Sequence, residues 1–196
     1  MPRHADPDLE ERVLDAAQKL FRRGGDKTLS MRALARAAKT NTPAIYRRFK
    51  NRDDVLRALL LRLRQEVYEA VRSATSLEQA CERYVDFALR RPQEYQLYHA
   101  HYHELLGTSR DWRPDGSMGE IGPSFLWVQR RLVDRLGGTP EDHVRLTLAL
   151  WALAHGTAML LISRSTPSEL ASELRTACTR AVTELVREAG EKRARL

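Results

Sequence analysis

The sequence predicts an all-α protein of about nine helices, and three observations predict it. Apolar residues recur at helical spacing from Leu9 to Leu185. The periodic stretches are punctuated by helix-start residues (Asp, Ser, Asn, Pro) and by Gly-Gly stops. No apolar run alternates with period two, so no strand is expected. A chain of 196 residues is long enough to bury a real core in one large or two small domains. With 42% hydrophobic and 30% charged residues it has the composition of an ordinary globular protein.

Taken in order, Asp6 is placed to cap a first helix with Pro7 at its first position, followed by Leu9, Val13, Ala16, Ala17, Leu20 and Phe21. Gly24-Gly25 ends it. Ser30 caps a short second helix carrying Met31, Leu34 and Ala35, and Asn41 caps a third, with Pro43 in the first turn where proline is tolerated. Asn51 opens a long fourth helix through Leu56, Leu63 and Val71. Ser76 with Gln79 has the spacing of a capping box for a fifth. Pro92 opens a sixth, Gly107 to Gly122 reads as the longest loop, and Pro123 opens a seventh that Gly137-Gly138 stops. Thr139-Pro140-Glu141-Asp142 leads into Val144–Ile162, apolar almost all round and expected to be buried on several sides. Thr166-Pro167-Ser168-Glu169 opens the last helix.

Charge narrows the function. The net charge is +7, and it is concentrated. Between Arg22 and Arg52 stand ten lysines and arginines against Asp26 alone, more than the net charge of the whole chain. Such a block fits an anionic partner. Residues 30 to 48 place two short helices about a tight turn, Ala38-Lys39-Thr40, which is the helix-turn-helix layout with the second helix in the major groove.

Other chemistry is thin. No G-x-S-x-G, P-loop, H-E-x-x-H or G-x-G-x-x-G occurs, so no enzyme is expected. His99 and His103 share a helix face as a metal pair would, but no cysteine or second acidic cluster lies nearby in sequence. A polar face or pocket lining reads equally well there, and neither metal nor cofactor is expected. Cys81 and Cys178 sit in apolar helical patterns and do not read as a disulfide framework or a zinc set. No charge-free apolar run of ~18 residues is expected to span a membrane. The polar N-terminus lacks the apolar stretch of a signal peptide, so a cytoplasmic protein is expected.

The stretch Ser30-Met31-Arg32-Ala33-Leu34-Ala35, then Thr42-Pro43-Ala44-Ile45-Tyr46-Arg47-Arg48-Phe49, then Arg52 and Leu56, resembles the signature of the tetracycline-repressor (TetR) family of transcription regulators. The resemblance covers the first ~55 residues. It departs at Lys39, where the family usually carries glycine and where the turn requires a positive φ that lysine adopts at some cost. Leu150-Trp151-Ala152-Leu153-Ala154-His155-Gly156 resembles a Trp-His-Gly pattern found in C-terminal domains of that family.

The resemblance implies a DNA-binding domain at residues 1–50 and a ligand-binding and dimerisation domain at 51–196. It also implies a homodimer formed through the last two helices, a palindromic operator in double-stranded DNA, and a small-molecule effector. Arg32, Thr42, Ala44 and Arg47 are candidates for base edges, since arginine bonds guanine O6 and N7 together and a small side chain meets a thymine methyl. Ser30, Thr40, Tyr46, Arg48, Lys50 and Arg52 are candidates for phosphate contacts, with Asn41 at the helix start and Lys39 adding charge nearby. Tyr98, His99, Tyr102, Phe125, Trp127, Trp151, His155 and Met159 form a candidate effector pocket, with core packing the alternative for each.

Overall fold

The computed structural model describes Asp6 and residues 8–105, 122–163 and 166–195; of the side chains of Asp26 and residues 102–105 nothing is described. The predicted Gly107–Gly122 loop lies outside those residues up to position 121. Within the described residues the chain is all-helical, with nine α-helices and no strand. It divides into two compact units, one drawn from Met1–Leu63 and Gln93–Thr108, the other from Arg64–Pro92 and Ser109–Leu196.

The first unit is built on α1 (Leu9–Gly24). Its start differs from expectation: Asp6 does not cap the helix. Its carboxylate accepts from the Asp8 N–H at 3.1 Å and pairs with Arg12 at 2.6 Å, and the helix begins at Leu9. Gly25, at φ +66°, closes the other end. α2 (Met31–Ala37) is capped by Ser30, whose Oγ accepts from the Ala33 N–H at 3.2 Å. α3 (Thr42–Arg48) is capped by Asn41, whose Oδ1 accepts from the Ala44 N–H at 2.8 Å. α4 (Arg52–Arg72) starts on Asn51, whose Oδ1 accepts from the Asp54 N–H at 2.9 Å. Each cap satisfies a donor that a helix leaves unpaired.

Val13, Ala17, Leu34, Ile45, Leu59, Leu60 and Leu63 are shielded from water in one shared core. Each large aliphatic member contributes roughly 1.5–3 kcal/mol by burial. α6 (Pro92–Leu105) adds Leu97 to this core, with Tyr98 packed against it.

The second unit holds α5 (Leu77–Arg90), α7 (Pro123–Leu136), α8 (Val144–Ile162) and α9 (Ser168–Arg193). α5, α8 and α9 pack on one another, and α7 packs on α8 and α9. The Ser76 hydroxyl accepts from the Gln79 N–H, but the Gln79 amide accepts from the Thr75 N–H, one residue before the usual capping-box partner. A 3-10 turn (Glu141–His143) precedes α8. It is tied down by the buried His143 ring against the Gly137 carbonyl at 2.8 Å and by Asp142 accepting from the Thr139 N–H at 2.9 Å.

α8 buries one face, carrying Thr147, Leu150, Ala154, Thr157 and Ala158. Trp151 (46%) and Leu160 (49%) are exposed and, nine residues apart, stand on opposite sides of the helix. Glu141–Ile162, with mean hydropathy 1.4, is long and apolar enough to cross a membrane by length and composition alone, a test that a core helix also passes.

Candidate nucleic-acid interface

The turn between α2 and α3 is made by Ala38, Lys39 and Thr40. Ala38 is buried, and the Thr40 N–H donates to the Ala35 carbonyl at 2.9 Å. Lys39 takes φ +53°, the positive value expected of it, and is the one non-glycine residue to do so among the described residues. An L-residue pays roughly 1–2 kcal/mol for that conformation. Lys39→Gly is therefore expected to stabilise the first unit by ~0.5–1 kcal/mol, after the extra entropy of an unfolded glycine is deducted. A thermal melt checks this; an unchanged or lower melting temperature would show that the turn carries no such strain.

α3 is short, seven residues, so the fate of each residue is set within about two turns of helix. Ala44 and Ile45 face inward, at 7% and 0% exposure. This corrects the assignment of Ala44 to a base edge: its methyl is spent on packing. Half-buried Thr42 is the small side chain left at the helix start. The outward face is Pro43, Tyr46 (53% exposed) and Arg47. Pro43 was not singled out from the sequence, although it stands three residues before Tyr46 and four before Arg47, the spacing of one helix face.

Two predicted phosphate contacts have partners within the unit. The Arg48 guanidinium donates to Glu10 of α1, Nε to Oε2 at 2.6 Å. Arg52 donates through Nε to the Leu29 carbonyl at 2.9 Å, tying the start of α4 to the residue before the Ser30 cap. Both brace the helix-turn-helix. In contrast, Arg32, Arg36, Lys39, Arg47 and Lys50 are exposed and carry no ion pair among the described residues. Ser30 and Asn41 spend side-chain oxygens on their caps, and Thr40 is half-buried. The result is a short helix bearing an exposed proline, tyrosine and arginine, flanked by further unneutralised cations. Such a surface attracts phosphate and can present a guanidinium to a groove.

The candidate effector residues fall in both units. Tyr98 and His99 belong to the first unit, where the His99 ring lies 4.4 Å from Tyr95 and 5.0 Å from Tyr98 between centroids. Tyr102 and the other half of the proposed metal pair, His103, lie outside the described side chains, and no metal-holding cluster occurs among the described residues. In the second unit Phe125 is half-buried, Arg131 lies over the Trp127 ring at 5.1 Å, and Met159 is half-buried. Trp151 stacks on His155 at 5.3 Å, and the His155 Nδ1 is 3.5 Å from the Tyr84 hydroxyl. Burial lowers the His155 pKa from its ordinary value. The shift contributes nothing where both states are neutral, and it lowers stability as pH falls below the ordinary value of ~6.5, where the unfolded chain takes up the proton first.

The second unit does contain a cavity, of about 330 Å³, between α5, α8 and α9. It is lined by Cys81, Thr157, Arg175 and Cys178 among others, and by none of the eight candidate residues.

The fold and the surface of α3 define a helix-turn-helix DNA-binding protein with a second helical unit. Residues 13–59 match the model of bacterial regulatory proteins of the tetR family, and residues 77–190 match that of the tetracyclin-repressor-like C-terminal domain. The chain belongs to the TetR family of DNA-binding transcription regulators, and is not an enzyme.

Its fold is shared with a protein of unknown function from Rhodococcus sp. RHA1 (24% identity, 96% of this chain and 98% of that one, TM-score 0.65). It is shared with the multidrug binding protein EbrR in complex with imidazole (21%, 94% and 93%, 0.62). It is shared too with a TetR variant from Acinetobacter baumannii AYE in complex with minocycline (19%, 93% and 97%, 0.61). No curated protein matches the sequence.

Proposed function

We propose that the protein is a homodimeric repressor that occupies a palindromic operator in the cytoplasm and is released by a small organic effector. The observation that carries the DNA side is the outward face of α3, where Pro43, Tyr46 and Arg47 stand clear of the core beside exposed Lys39 and Lys50, which carry no ion pair among the described residues. In this reading residues 1–50 hold the DNA-reading part and 51–196 the effector-binding and dimerising part. Arg47, Arg32 and Thr42 address base edges. Tyr46, Lys50, Lys39 and the helix-start residues Ser30, Thr40 and Asn41 address the backbone, with Arg48 and Arg52 as braces.

The homodimer is supported by the uncovered side of α8. Ala152 and Leu160 are exposed there, and a Cβ added at Gly156 would meet nothing within 4 Å. Leu170 and Ala177 are exposed on α9. Apolar side chains beside small residues make a surface onto which a second helix pair can approach closely. A two-fold dimer then meets a two-fold operator.

We read the second unit as the Trp-His-Gly type, since Trp151, His155 and Gly156 fall within the matched 77–190 span. For the effector, the Trp151–His155 stack offers a flat apolar wall with a polar edge, and the imidazole and minocycline complexes of proteins with this fold support an organic ligand. By linkage, a compound that lowers operator affinity must itself bind less tightly to the operator-bound protein, by the same factor.

Fluorescence anisotropy over a salt series separates the two kinds of DNA contact. Lys50→Ala is expected to weaken all duplexes alike and flatten the log–log salt slope by about 0.9 for each phosphate no longer neutralised. Arg47→Ala is expected to cost ~1–3 kcal/mol and to relax discrimination at one base position. The reverse pattern would exchange the two roles. Loss of neither affinity nor selectivity in either variant would remove α3 from the interface.

A further inference from the structure

Cys81 on α5 and Cys178 on α9 are 97 positions apart in sequence, yet their sulfurs lie 3.3 Å apart, a distance that leaves them unbonded as free thiols. Two thiols that close inside a core are ordinarily small packing groups. These differ because both line the 330 Å³ cavity, which also presents the Thr157 hydroxyl and the Arg175 and Arg180 side chains. That space exceeds the ~30 Å³ share of one water many times over, so a small solute can reach the pair.

We propose that Cys81 and Cys178 are a dithiol modification site, oxidised by hydroperoxides entering this cavity to an intramolecular disulfide that joins α5 to α9.

The roles follow from the surroundings. Cys178 shares the sulfur–sulfur contact with Cys81 and stands beside the Thr157 hydroxyl, which together hold its pKa below the ordinary thiol value. The same Cys81–Cys178 bond, with burial and with Glu82 nearby, pushes the Cys81 thiol upward, opposed by Arg175. Cys178 is thus the thiolate, and the thiolate is the nucleophile. Its sulfur attacks the terminal oxygen of the hydroperoxide, the O–O bond breaks, and the alkoxide leaves as an alcohol after taking a proton from solvent. Cys178 is then a sulfenic acid. The Cys81 sulfur attacks it, the S–O bond breaks, and water leaves with the Cys81 proton. Two electrons pass from the two thiols to the hydroperoxide. The sulfurs need to close by about 1.2 Å to reach the disulfide bond length of ~2.05 Å. Arg175, held by Asp86 of α5 at 2.7 Å, already links the same two helices beside the pair.

The site stands independently of the operator and effector readings, and its test uses the full chain without DNA. After treatment with tert-butyl hydroperoxide, intact mass is expected to fall by two hydrogens, both free thiols to vanish together, and the Cys81 and Cys178 peptides to map as one linked species that dithiothreitol separates. In Cys81→Ser, dimedone is expected to trap a sulfenic acid on Cys178. The link is expected to form at least about tenfold faster in folded than in guanidinium-unfolded wild-type protein, because unfolding turns a contact into a long loop closure. Thiols that stay free under peroxide sufficient to oxidise an exposed cysteine peptide would overturn the proposal. So would links formed only between chains, or equal rates folded and unfolded.

Discussion

Gly156→Arg is expected to convert the protein from dimer to monomer and to lower operator affinity by about a hundredfold or more. Gly156 shares a face of α8 with exposed Ala152 and Leu160, and a Cβ added there meets nothing within 4 Å among the described residues. The substitution is therefore harmless to the isolated chain beyond the usual local effects, and replacing a mid-helix glycine favours the helix slightly. In a two-fold seam the same position recurs on both copies, so two guanidinium groups are buried among Ala152, Leu160 and their symmetry mates, which are apolar. A monomer then engages one half-site and loses the gain of ~10²–10⁴ that joining two half-sites supplies. Sedimentation velocity reads the assembly, anisotropy reads the affinity, and circular dichroism confirms that the helices persist. A dimer that survives Gly156→Arg with unchanged affinity would place the seam elsewhere.

Arg22→Ala is expected to destabilise the first unit by ~3 kcal/mol. Glu94, on α6, is 1% exposed. It meets Arg22 of α1 at 3.0 Å and accepts from the Gln18 side-chain amide at 2.6 Å. Removing the arginine leaves a carboxylate in the core with one neutral partner, and breaking a buried pair in this way costs ~3–5 kcal/mol. The lower end applies because Arg22 itself is about half exposed, at 47%. Adding Glu94→Gln to Arg22→Ala removes the orphaned charge and is expected to recover a large part of the loss. Urea unfolding of the two single variants and the double variant closes this cycle. A loss below about 0.5 kcal/mol for Arg22→Ala would show that Gln18 alone suffices to hold the carboxylate.

What the sequence reveals is local. Ser30, Asn41 and Asn51 cap the helices they precede because the cap bond spans three residues. The positive φ of Lys39 is expected from the resemblance, since the family usually carries glycine there. The apolar spacing of α8 gives its limits, Val144–Ile162, to the residue.

What it conceals depends on distant partners. The burial of Glu94 needs Gln18 and Arg22, some seventy residues earlier, to be brought beside it. Arg48 and Arg52 belong by type to a phosphate-binding set, but Glu10 and the Leu29 carbonyl engage them. Ala44 and Pro43 are adjacent on a seven-residue helix, and which of them faces outward is settled by the packing of Ile45 and Phe49, both in the core. The two cysteines show nothing in their spacing, because a contact across 97 positions leaves no periodic trace. For α8, the sequence pattern records how much apolar surface must be buried but not which chain buries each part of it.

The most direct test of the central claim is selection of bound sequences from a random duplex pool by the effector-free protein at physiological salt. A palindromic consensus with half-sites on one face of the duplex is the predicted result, as a two-fold dimer reading through α3 requires. Recovery of no consensus, with binding that only fades as salt rises, would contradict it and reduce the basic segment to a non-specific anchor.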